Sequence, residues 1–179
     1  MRLTSKQIEL QDSFSQIQDY YEAEGWSDGL PVVPATEDLV LEMIQGADLP
    51  PEFELGVIQP SNKTVTVEKV AINSVMAGCK PEYFPVVIAA VKCVLRPEFN
   101  VGGVQATTGG AACTVVVNGP ICNEIGIHSD AACFGPGFRA NATIGRAVRL
   151  VIRNLGELLP GIMDKATLST PGRFSFCFG

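Results

Sequence analysis

The chain has 179 residues, enough for one hydrophobic core and too few for two ordinary domains. Its net charge of -6, with only 13 Lys and Arg, argues against a binder of nucleic-acid backbones, because neutralising phosphates takes clustered cations. No apolar run reaches the ~18 to 20 residues that cross a bilayer, and the first residues lack the basic, apolar, small-residue order of a signal peptide, so a cytoplasmic protein without a membrane partner is expected.

Taken in chain order, apolar residues at Ile8, Leu10, Phe14, Ile17 and Tyr21 predict an amphipathic helix over Ser5 to Glu24, stopped at Gly25. The segment Gly25-Trp-Ser-Asp-Gly-Leu-Pro-Val-Val-Pro34 reads as a turn cluster feeding an extended piece. Within it Trp26 and Asp28 suit a lid or a subunit contact, or else a Trp plugging the core beside a turn. Thr36, Glu37 and Asp38 form an amino-terminal cap for a short helix to Gln45. Glu54 to Gln59 is a candidate strand and Pro60-Ser-Asn62 a turn. Thr64 to Ala77 reads as a helix ended by Gly78, and Glu82 to Leu95 as another, with Pro85 tolerated in its first turn.

Val101 to Thr107 and Cys113 to Asn118 are short β-branched or apolar runs across a glycine-containing turn, which predicts a hairpin. Ala140 to Leu155 is the clearest helix, with Ile144, Ala147, Val148, Val151, Ile152 and Leu155 on one face. Arg146, Arg149 and Arg153 border the other as a solvated face. Arg173 to Phe178 reads as a last strand. The sum is one α/β domain over residues 1–179, with α+β as the alternative: a small mixed sheet with helices packed on it.

Hydrophobic residues make up 46% of the chain and charged residues 18%, a balance that predicts a homo-oligomer or a second subunit covering apolar surface. The six cysteines are widely spaced and are expected to be reduced and mostly buried. The sequence requires no cofactor, and neither Cys-x-x-Cys pairs nor clustered histidines suggest a metal site.

The residues that suggest chemistry lie between Val101 and Arg149. In Phe134-Gly-Pro-Gly-Phe-Arg-Ala-Asn-Ala-Thr-Ile-Gly-Arg-Ala147, Gly135 and Gly137 let backbone approach a ligand just before a helix whose first amides attract anions. Arg139, Asn141 and Thr143 add donors there, and the plainer alternative is a tight turn into a buried helix. Thr107 and Thr108 leave one predicted strand, and Asn118 with Gly119 leaves the next, so both loops are candidates to converge on the same place, against simple turn chemistry. His128, the only histidine, stands five residues before Cys133. A Cys133 thiolate activated by His128, with Asp130 or Glu124 orienting the imidazole, would be a nucleophile.

The Gly25 to Pro34 segment, Met76-Ala-Gly-Cys-Lys-Pro-Glu-Tyr-Phe-Pro-Val-Val87, Gly103-Val-Gln-Ala-Thr-Thr108, Val117-Asn-Gly-Pro120 and the Phe134 to Ala147 block together resemble a widespread, largely uncharacterised bacterial family, some of whose members are associated with UGSC-type thiol or selenol proteins. The resemblance covers nearly the whole chain and implies kinship without a reaction. Similar members continue past the final Phe-Cys-Phe into an acidic segment, which implies one subunit of a split pair or the amino-terminal part of a longer architecture. The shared blocks include Asn118, Arg139, Asn141 and Thr143, and not Cys113 or His128.

These residues lead to an enzyme subunit acting on a small anionic organic molecule by hydrolysis or elimination. Arg139 and the helix terminus would hold the anion, Asn118, Thr107 and Thr108 would orient the reacting group, and Glu124, Asp130 or another chain would supply the base. The alternatives are a non-catalytic scaffold completing a partner chain, and a Cys-based redox or metal-cluster protein built on Cys113, Cys122 and Cys133.

Overall fold

Two helices carry the hydrophobic core. The computed structural model describes residues 2–179, and at its centre α3 (Val67–Ala77) packs along α7 (Arg139–Gly156). Nine of the eleven residues of α3 are buried, so it is enclosed on nearly all sides. α1 (Phe14–Ala23), α2 (Glu37–Gln45) and α4 (Phe84–Val94) complete the outer layer, with α2 and α4 both packed on α3. Phe84, Ile44, Ile144, Leu150 and Ile152 are fully buried between these elements, each contributing about 1.5 to 3 kcal/mol of apolar burial. The fold is mixed α/β and rich in helix, as the sequence suggests.

α2 and α4 follow the expected pattern, α4 being entered through a 3-10 turn at Pro81–Tyr83. α3 ends where Gly78 takes a left-handed conformation (φ 86°), the usual glycine stop. Its start differs from expectation: Thr64 to Thr66 belong to strand β2 (Lys63–Thr66), antiparallel to β1 (Glu54–Ile58). The β-branched run favours an extended chain, and Thr66 then caps the helix by accepting from Lys69 N.

The expected hairpin is corrected. Val101 to Ala106 is helix α5 (Val101–Ala106), because Asn100 adopts the left-handed region and its side chain accepts from Gly103 N at 3.3 Å. That cap prevails over the strand preference of the valines. β3 is only Val115–Val116, and its partner is β4 (Cys177–Phe178), in parallel. The expected last strand from Arg173 is cut to these two residues by a 3-10 turn at Pro171–Arg173. The single mixed sheet therefore becomes two separate two-stranded ladders. A short helix α6 (Ile121–Ile125) was not expected.

The amino-terminal helix is also shorter than its periodicity implies. Residues 5–13 run without helix or strand, as a strap tied down at Thr4 and Ser5.

α7 is the best match to expectation, and Gly145 within it lets the chain at residues 175–176 approach closely. A Cβ there would stand 2.5 Å from Ser175 Oγ and 2.6 Å from Phe176 N. Gly145→Ala gains about 1 kcal/mol of helix propensity, but it forces backbone to move. We expect a net destabilisation of roughly 1 to 3 kcal/mol, read as a lowered urea midpoint at unchanged slope; an unchanged or raised midpoint would contradict this packing.

Candidate functional site

The glycine-rich block places its residues as the sequence suggests, at the start of α7, but their polar groups are largely spent on the chain itself. Arg139 is exposed, and its Nε and Nη2 both donate to Gly78 O, at 3.1 and 3.0 Å. The fork that would grip a carboxylate thus clamps the carboxyl end of α3 to the amino end of α7. Thr143 Oγ1 donates to Arg139 O one turn back, and Asn141 is 4% exposed with both side-chain polar atoms engaged. Its Oδ1 accepts from His128 N at 2.8 Å and its Nδ2 donates to the carbonyls of His128 and Cys133. Asn141 therefore fixes the 128–133 loop as a neighbouring strand would. What remains open is the helix terminus: Phe138 supplies no side-chain cap and the first turn holds no acidic residue.

His128 stacks on Phe138 with ring centroids 3.7 Å apart, and its Nε2 donates to Ala131 O at 2.9 Å. Among the described residues no hydrogen bond joins it to Cys133. Asp130 accepts from Ala131 N next to it, and Glu124 and Asn118 are exposed on the surface. Gly119 and Gly137, at φ 113° and 122°, have open space where a Cβ would stand, whereas Gly135 sits against Ala132 O. Thr107 Oγ1 accepts from Gly109 N, and Thr108 O accepts from Thr167 N, which ties that loop to the 165–169 segment. His128, Cys133 and Asn141 are brought together, but as a braced loop rather than a nucleophile and its base.

All six cysteines are free. Burial pushes the Cys79 and Cys177 thiols up to about 12, and it raises Cys113 as well, so these three are neutral thiols at ordinary pH. Among the described residues no group of three or more His, Cys, Asp or Glu side chains could hold a metal ion, which leaves the cluster reading of Cys113, Cys122 and Cys133 without a geometry.

The largest departure from the sequence reading concerns the arginines of α7. Arg146, expected on a solvated face, is only 13% exposed and forks onto both oxygens of Asp28 at 2.8 Å, reaching Leu30 O and Pro31 O as well. Arg153 Nε donates to Ser27 O, and Asn154 Nδ2 donates to Trp26 O and Asn73 Oδ1. The whole 26–31 turn is thereby docked on α7. Arg149 turns the other way, to Asp164 and Gln105. Spacing of i, i+3 and i+7 marks these arginines as one stripe, and that stripe faces protein.

Docking of the 26–31 turn creates a feature that no local motif announced. A cleft of about 640 Å³ opens between the amino-terminal strap and α1, α2 and α3, within the range of small-molecule sites. Leu3, Ile8 and Leu10 of the strap, Val40, Ile72 and Met76 of the helices, and Tyr20, Tyr21 and Trp26 line it. The three aromatic rings meet edge to face, with Trp26 centroids 6.0 and 5.9 Å from the two tyrosines. Asn154 also lines the cleft, and its Oδ1 is buried with no donor.

No protein-family model, curated protein or solved structure matches this chain. No helix among the described residues is long and apolar enough to cross a membrane.

The strap is held chiefly by one carboxylate, with a further bond from Gln7 Nε2 to Glu37 Oε2 at 2.8 Å. Glu68, 1% exposed, accepts from Thr4 N, Thr4 Oγ1 and Ser5 N at 2.7 to 3.0 Å. Burial by itself raises its pKa, but the hydrogen bonds from Ser5 and Thr4 together bring it below the ordinary glutamate value. A lowered folded-state pKa gives stability that is present above the unfolded value and lost as pH falls through the folded one. Glu68→Gln should speed tryptic cleavage after Lys6 by roughly tenfold or more, and remove the acid-induced loosening of the strap expected of the parent. Equal cleavage rates at neutral pH would show that the carboxylate does not hold the strap.

Proposed function

We propose that the protein binds a small organic molecule with a largely apolar body in the cleft between the strap and α1, α2 and α3. The observation that carries this reading is the cleft itself: it has ligand-sized volume, aromatic walls and one buried acceptor, Asn154 Oδ1, left without a donor. A buried acceptor without a partner costs about 1 to 3 kcal/mol, so a ligand donor placed there gains both a hydrogen bond and relief of that cost. Charge narrows the choice. Glu9, Glu24, Glu37 and Glu68 line the cleft against Lys6 and Lys69, and Lys69 Nζ is already donating to Thr64 O. The excess of carboxylates disfavours an anion and suits a neutral or cationic molecule, for which the aromatic faces add attraction.

The chain has a single tryptophan, Trp26, so its emission reports occupancy of the cleft. A library of small neutral and amine-bearing aromatics should contain binders that shift Trp26 emission. Ile72→Phe, which adds bulk to the cleft wall, should weaken them by about tenfold or more while leaving the urea midpoint nearly unchanged. Binders whose affinity ignores Ile72→Phe and the variant Asn154→Asp would place the ligand elsewhere.

A second reading keeps the expected anion at the start of α7, where an enzyme subunit of hydrolase or lyase type would hold its substrate. It is favoured by one observation, the uncapped amino terminus beside an exposed Arg139. Arg139→Lys keeps the charge and loses the double bond to Gly78 O. If an anion is bound there, carboxylate affinity measured by calorimetry should fall about fivefold or more; a change in stability alone would make Arg139 a structural clamp. The expected partner chain is supported by the terminal ladder, where Phe134 is 67% exposed over Phe176 and Phe178, and Val116 is 55% exposed.

A further inference from the structure

The polar cluster on the far side of α7 holds more positive charge than it neutralises. Arg149 and Arg173 each lie 2.8 Å from one oxygen of Asp164, and Gln105 Oε1 accepts from both guanidinium groups. Gln105 is neutral, so two cations share one anion. All three charged side chains are withdrawn from water, Arg149 to 13%, Asp164 to 9% and Arg173 to 6% exposure. A net unit charge held in such surroundings is strongly disfavoured unless something offsets it.

Two further observations point to what offsets it. Arg173 Nε is buried and has no acceptor, although its two terminal nitrogens are bonded. Arg149 and Arg173 also line a small cavity of about 10 Å³, closed by Cys113, Gly145, Gly172 and Ser175. That is room for one water-sized occupant. Glycine at 145 and 172 keeps side chains from filling the space, and the Cys113 thiol beside it is neutral.

We propose that this cavity is a site for a single monovalent inorganic anion of halide size, held by Arg149 and Arg173. One such ion cancels the surplus charge and supplies the acceptor that Arg173 Nε lacks. The volume excludes sulfate, phosphate and organic carboxylates. The cluster ties α5 to α7 and to residues 164 and 173, so the ion stabilises the fold where the chain has little regular structure. This inference does not depend on the cleft.

The test uses the whole wild-type chain. At constant ionic strength and pH, replacing sodium gluconate by about 0.2 M sodium chloride should raise the melting temperature by roughly 3 to 6 °C, with bromide acting similarly and sulfate not. Crystals grown in bromide should show an anomalous peak between Arg149 and Arg173. Arg173→Lys, which loses the Nε donor, should melt at the same temperature in either salt. Identical wild-type melting in chloride and gluconate, or a peak in the cavity without anomalous signal, would identify the occupant as water and overturn the proposal.

Discussion

One stripe of arginines on one helix docks the 26–31 turn and ties the end of α5 and Asp164 to the core of this protein. Arg146, Arg149 and Arg153 leave α7 at successive turns: Arg146 and Arg153 reach the 26–31 turn, and Arg149 reaches Gln105 at the end of α5 and Asp164. A buried loop needs partners for its carbonyl groups, and a guanidinium offers five donors in a fixed plane. α7 can therefore use one edge for the apolar core and another for polar anchorage. A lysine stripe would offer the same charge without the planar fork that reaches a carboxylate and two carbonyls together.

The cleft is a product of that anchorage. Trp26 is carried on a turn whose neighbours are bonded to Arg146, Arg153 and Asn154, so the rings it forms with Tyr20 and Tyr21 are placed from the α7 side. The opposite wall comes from a strap some sixty residues away in sequence from the glutamate that holds it. A cleft assembled from such distant pieces has no local signature.

Much of the fold was nonetheless legible in the residues. The Thr36 cap located α2, a tolerated Pro85 in the first turn suited α4, apolar spacing located α7, and Gly78 marked the end of α3, because these signals act within one or two turns of chain. The strand reading of Val101 to Thr107 failed for an equally local reason, the Asn100 cap, whose effect outweighed valine's preference. The pairing of Val115 with Cys177 is a different case: a two-residue parallel ladder between remote segments carries almost no pattern. At the site, the glycine-rich block was correctly placed at a helix start. What could not be read was that Asn141 and Arg139 would each find a backbone partner, since those partners lie on the 128–133 loop and at the end of α3. The arginine stripe was visible as spacing, but its direction depended on Asp28 and Asp164 being folded against it.

The strap joined to Glu68 adds a kinetic consequence. Its anchoring bonds go to the Glu68 and Glu37 carboxylates, and most of residues 5–13 are exposed, which is the pattern of a unit that opens at a free energy well below that of the whole domain. Solvent exchange at the Thr4 and Ser5 amides would then proceed by local release rather than global unfolding. A local opening of this kind also uncovers Leu3, Ile8 and Leu10, the strap side of the cleft, while α1, α2 and α3 stay packed.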